Sequence, residues 1–83
     1  MTDQQFTLLD ELYFIQNVES LTKDLGWAKE EVIAVLLELF ENDWLKVVDL
    51  DEEVEISKAE LAEQITKYSF IASKKGLFAH NSN

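Results

Sequence analysis

Gly26 stands between two stretches of helical periodicity, and this arrangement limits the chain more than any other feature. Upstream, Val18, Leu21 and Leu25 recur at the spacing of one helix face. Downstream, Val32, Val35, Leu36, Leu39 and Phe40 do the same, with Ile33 and Leu37 on a neighbouring face. A glycine just past an apolar-periodic stretch is the usual residue to enter the left-handed backbone region that ends a helix. The spacing predicts a helix over 18–25, a sharp turn at Gly26, and a longer helix over 29–42. Leu21 and Leu25 are then placed to pack on Val32 and Leu36.

The rest of the chain reads as short elements around this pair. A first helix is predicted over 3–15, capped by Thr2 or Asp3, with Phe6, Leu9, Leu12 and Tyr13 as its apolar stripe. Leu8 and Ile15 lie off that stripe, which implies burial on more than one side. Residues 44–50 are rich in β-branched and aromatic side chains and read as a strand. Residues 51–53 read as a turn and 54–56 as a short returning strand. Ser57 with Glu60 has the capping-box spacing and starts a helix over 58–65. Residues 68–72 read as the next strand. Gly76 marks a turn into a last short segment over 77–80, and 81–83 are expected to fray. The expected fold is one domain over 1–83, mainly α with a small antiparallel β element, an α+β class.

The stretch 18–48 resembles the helix-turn-helix core of winged-helix proteins. The resemblance rests on the two helices, on Gly26 between them, and on a strand following closely. Asp43-Trp44-Leu45 stands where the family has a Gly-Leu-Val type of strand start. Residues 68–79, Tyr-Ser-Phe-Ile-Ala-Ser-Lys-Lys-Gly-Leu-Phe-Ala, look like the returning wing strand of bacterial winged-helix regulators. The resemblance implies a winged helix-turn-helix domain, with the helix pair over about 18–42 and the wing over about 44–73. It also implies that the helix over 29–42 enters a DNA major groove, with Ala28, Lys29, Glu30 and Ile33 toward the bases and Ala34 and Leu37 further along.

The charge points elsewhere. Seventeen acids face seven lysines, the net charge is −10, and there is no arginine. All seventeen acids lie in residues 1–66, whereas 67–83 holds three lysines and no acid. An acidic body repels phosphate backbones and attracts basic partners. Five of the seven residues over 49–55 are acids, in the segment where a DNA-binding wing would carry cations. Guanine readout falls to lysine alone, which lacks the planar fork of arginine. The expected function is therefore protein–protein interaction or self-association in a regulatory role, with DNA binding as the alternative. The partner is a protein or a second copy, and the surface candidates are Ala28, Lys29, Glu30, Ile33, Leu37, Lys74 and Lys75. Leu8, Phe14 and Ile15 add apolar excess on the first helix.

No catalytic constellation is legible. His80 is the sole histidine and there is no cysteine. Ser20, Ser57 and Ser73 sit at cap positions with no base to activate them. The acidic run over 49–55 lacks the glycine and twelve-residue pattern of an EF-hand. The expectation is a non-enzyme with no cofactor, no metal and no small-molecule substrate. The longest apolar run, 32–37, is far too short to span a bilayer. The N-terminus lacks a basic leader, so a cytoplasmic protein is expected.

Overall fold

The computed structural model describes residues 1–82 and shows an α+β fold with five α-helices and a four-stranded antiparallel sheet among them. Helix α1, Asp3–Glu11, opens with a reciprocal capping box between Thr2 and Gln5. It ends four residues before the expected Ile15. The Leu12 carbonyl accepts the Ala72 N–H at 2.8 Å, which ties the end of α1 to the sheet and diverts the chain. The diversion forms β1, Gln16–Asn17, a strand that the periodicity did not indicate. Asn17 then caps α2, Val18–Leu25, through a second box with Ser20. Gly26 ends α2 at φ +70°, as its position predicts. Helix α3 spans Lys29–Glu41 and buries Val32, Val35, Leu36 and Leu39.

The end of α3 has an unusual residue. The Trp44 N–H donates to Leu39 O at 2.9 Å and the Asp43 N–H to Phe40 O at 3.0 Å, the paired bonds of a Schellman motif. Asp43 occupies the left-handed position at φ +59°, where glycine is usual. A Cβ costs about 1 kcal/mol there. Asp43→Gly is expected to raise stability by about 0.5–1 kcal/mol, read as an upward shift in the chemical-denaturation midpoint at unchanged slope. No gain would mean that the Asp43 side chain offsets its own backbone cost.

Strand β2, Leu45–Asp49, turns through Leu50 and Asp51 into β3, Glu52–Glu53. The turn comes earlier than expected, and the return strand is 52–53 rather than 54–56. Val54 still donates its N–H to Val47 O at 2.9 Å, but Val54 and Ile56 then leave the sheet to pack half-buried on the core. Helix α4, Lys58–Glu63, is capped by Ser57 and passes into a 3-10 turn, Ile65–Lys67. Strand β4, Ser69–Ala72, pairs with β2 in the register Leu45↔Ala72 to Val48↔Ser69 and with β1 through Gln16↔Phe70. The sheet order is β1-β4-β2-β3, with Phe70 fully buried at its centre.

Helix α5, Lys74–Asn81, replaces the expected turn and short segment. Ser73 caps it, accepting the Gly76 N–H at 2.9 Å while donating to Asp43 O at 2.6 Å. Gly76 therefore lies inside a helix rather than at a turn, buried where any Cβ would strike the Trp44 carbonyl. Asn81, expected to lie in a frayed end, is the last residue of α5, and Asn83 lies outside the described residues. The element order and the β1-β4-β2 adjacency are compatible with a winged helix, with α4 set between β3 and β4.

Candidate functional site

The surface candidates fall into two groups, on α3 and on α5. Ala28 is the N-cap of α3, and it supplies no side-chain hydrogen bond to the helix start. Lys29 and Glu30 follow it and are exposed, whereas Ile33 and Leu37 are half-buried against the core. Ile33, Leu37 and Glu41 form one row at four-residue spacing. Lys58, the first residue of α4, pairs with Glu41 at the end of that row. Helix α4 thus meets α3 at its C-terminal end. What α3 leaves to solvent is Lys29 at its start and the strip Glu30, Ala34, Glu38 and Glu41.

The tip of the β2–β3 hairpin is equally acidic. Asp51, Glu52, Glu53 and Glu55 are exposed, Asp49 is half-buried, and Leu50 projects among them, 90% exposed at φ +59°. Lys46 of β2 pairs with Glu53 at 3.7 Å and lies outside the tip.

One concavity contains cations. Residues Asn17, Val18, Glu19, Thr22, Lys23, Lys29 and Thr66 line a cleft of about 330 Å³ between the starts of α2 and α3. Neither Lys23 nor Lys29 forms an ion pair among the described residues. The chemistry available there is electrostatic retention of an anionic group by the two lysines, opposed by the Glu19 carboxylate, with hydroxyl and amide groups beside them. Of its lining, sequence reading picked out only Lys29. Thr66 reaches the cleft through tertiary packing, which no local pattern marks. Asn17 had a legible signal, since Asn followed by Ser three residues on is a capping pair.

On α5, Lys74 and Lys75 are exposed at the first two helical positions, and Phe78 stands one turn beyond Lys74 with 76% of its surface exposed. Lys67 does not complete a free cluster with them, because its ammonium stands over the Tyr68 ring at 5.5 Å. The inner side of α5 holds His80, buried rather than near a frayed end. Its ring stacks on Phe6 with centroids 4.0 Å apart, and Nδ1 lies 3.1 Å from the Tyr13 hydroxyl. Nε2 has no hydrogen-bond partner, the nearest carboxylate being Asp10 at 3.4 Å. This contact corrects the reading of α1. Phe6 and Tyr13 are exposed at its rim and serve α5, while Leu8, Leu9 and Leu12 enter the core. Leu8 therefore cannot join an outer apolar surface. Phe14 and Ile15 remain available, at 75% and 54% exposure.

The acids perturb one another in one place. Loss of hydration, then the nearby charges of Asp24 and Asp10, push the Glu11 carboxyl above its ordinary range. Among the described residues no group of three His, Cys, Asp or Glu side chains is arranged to hold a metal ion. Ser57 and Ser73 are N-caps, and Ser20 completes the Asn17 box. No helix among them is long and apolar enough to cross a membrane. No family model, curated protein or solved structure matches the chain.

Proposed function

We propose that this chain is an acidic winged-helix module that acts without catalysis, binding a protein or a second copy of itself in a regulatory role. The observation that carries this reading is the chemistry of the exposed part of α3. The strip that would enter a DNA groove sets a single cation, Lys29, against Glu30, Glu38 and Glu41 around Ala34. The hairpin that would follow the phosphates presents carboxylates as well. Each phosphate contact needs a cation, and carboxylates at those positions repel the backbone. Exposed apolar side chains, by contrast, occur on the α1–β1 connection and on α5, as Phe14, Ile15 and Phe78. Such side chains are the usual anchors of protein interfaces.

DNA binding is the second reading, and the Lys23–Lys29 cleft favours it. Two phosphate contacts there would give a salt slope of about −1.8 in log affinity. An NMR titration with duplex DNA at low salt separates the readings. The interaction module predicts no shift in the amides of 29–33 or of the hairpin. Shifts there that vanish in the double variant Lys23→Glu, Lys29→Glu would establish the second reading and end the first.

A further inference from the structure

The outer face of α5 brings two exposed lysines together with an exposed aromatic ring on a body rich in carboxylates. Lys74 and Phe78 are four residues apart and share one ridge of the helix, with Lys75 beside them. All three are exposed, and neither lysine has an ion-pair partner among the described residues. The exposed strip of α3 has the complementary form. Ala34 is its only small apolar residue, and Glu30 and Glu38 stand one turn to either side of it. Glu38 accepts a hydrogen bond from Gln5 through one carboxylate oxygen, which leaves the other free. Side chains four apart on a helix are about 5–6 Å apart, so the two ridges have the same repeat. A Phe78 ring laid over Ala34 brings Lys74 level with Glu30 or with Glu38, according to the helix direction.

The geometry points to self-association in which α5 of one copy seats on the α3 strip of another, Phe78 filling the space over Ala34 while Lys74 and Lys75, both on the N-terminal side of Phe78, pair with whichever of Glu30 and Glu38 the helix direction sets beside them. This deepens the interaction-module reading and rests on it. The net negative charge of two copies does not forbid the contact. At physiological salt the screening length is about 8 Å, so the charges at the contact outweigh the distant remainder. The two faces differ, so the contact either occurs twice across a two-fold axis, α5 on α3 and α3 on α5, or continues head to tail into a ring or an open chain.

Charge exchange tests it on the full-length chain by sedimentation velocity over a concentration series. The wild type is expected to self-associate near physiological salt and to dissociate at about 1 M salt, where the screening length falls to about 3 Å. Lys74→Glu with Lys75→Glu makes both faces acidic, and Glu30→Lys with Glu38→Lys makes both basic. Each double variant alone is expected to be monomeric. An equimolar mixture of the two is expected to associate again. Both variants remain net negative, so general attraction does not explain recovery. Phe78→Ser is expected to weaken association at least tenfold. All the substitutions are at exposed positions, and unchanged thermal melts confirm that each variant folds. A wild type that stays monomeric overturns the proposal, as does a mixture that fails to recover. A monomer that instead binds phosphatidylserine vesicles through Lys74 and Lys75 overturns it in favour of an anionic surface. None of these results moves the duplex-DNA titration, which decides the broader reading separately.

Discussion

Gly76→Ala is expected to lower the melting temperature by about 10–20 °C, the largest effect foreseen for any exposed or small-residue substitution in the chain. A Cβ built on Gly76 falls 1.9 Å from the Trp44 carbonyl oxygen and 2.8 Å from its carbon. That oxygen cannot retreat cheaply. It accepts the Ser73 N–H at 3.0 Å, and Ser73 also donates its hydroxyl to Asp43 O. The methyl must therefore push α5 off the start of β2. Overpacking of this kind costs about 2–3 kcal/mol, and in a domain of this size each kcal/mol moves the midpoint by about 4–8 °C. Displacing α5 also takes His80 out from between Phe6 and Tyr13. Gly26→Ala is the control. Gly26 has open space around it, so the substitution costs only left-handed backbone strain, about 1 kcal/mol. Equal losses at the two glycines would refute the steric account of Gly76.

The contrast between these glycines shows what the sequence could convey. Gly26 follows an apolar-periodic helix, and local chemistry sufficed to place it. Gly76 follows Ser-Lys-Lys and looks equally like a turn. Its role depends on Trp44, more than thirty residues away in the chain. The helix ends behave in the same way. Helix α2 matches its expected bounds because a capping box and a glycine delimit it. Helix α1 is shorter than its apolar pattern because its end is set by a hydrogen bond from Ala72. Strand β1 has only two residues, too few for any alternation to register. The hairpin turned early because Leu50 takes a left-handed φ that favours glycine, so a leucine gave no turn signal.

The candidate site was legible in charge and poorly legible in position. The absence of arginine and the acids over 49–55 were visible directly and still carry the argument against groove binding. Ile33 and Leu37 could be read as core or as an outward apolar face, and no local pattern decided between them; the fold half-buries both against the core. Nothing in the local pattern marked Lys23, which the fold brings to the same cleft as Lys29 and Thr66. Phe78 was hidden by a segment read as too short to have faces. Once α5 is a helix, its exposure beside Lys74 follows from spacing alone.

Helix α4 concentrates its attachment in one residue, and Leu61→Ala is expected to cost about 3 kcal/mol, within the 2–5 kcal/mol usual for a buried leucine. A six-residue helix has no independent stability in water, so tertiary contact must hold it. Leu61 is its only buried side chain, at zero exposure. The Lys58–Glu41 pair is about half exposed on both sides and contributes at most about 0.5 kcal/mol. Lys58→Ala should therefore leave the melt nearly unchanged, whereas Leu61→Ala should lower it by more than 10 °C. Hydrogen exchange shows where the loss falls. If α4 is a separable cover on α3, the amides of 58–63 lose protection first, while Leu45–Asp49 and Ser69–Ala72 stay slow. Uniform loss of protection across the sheet would instead make α4 part of the cooperative core.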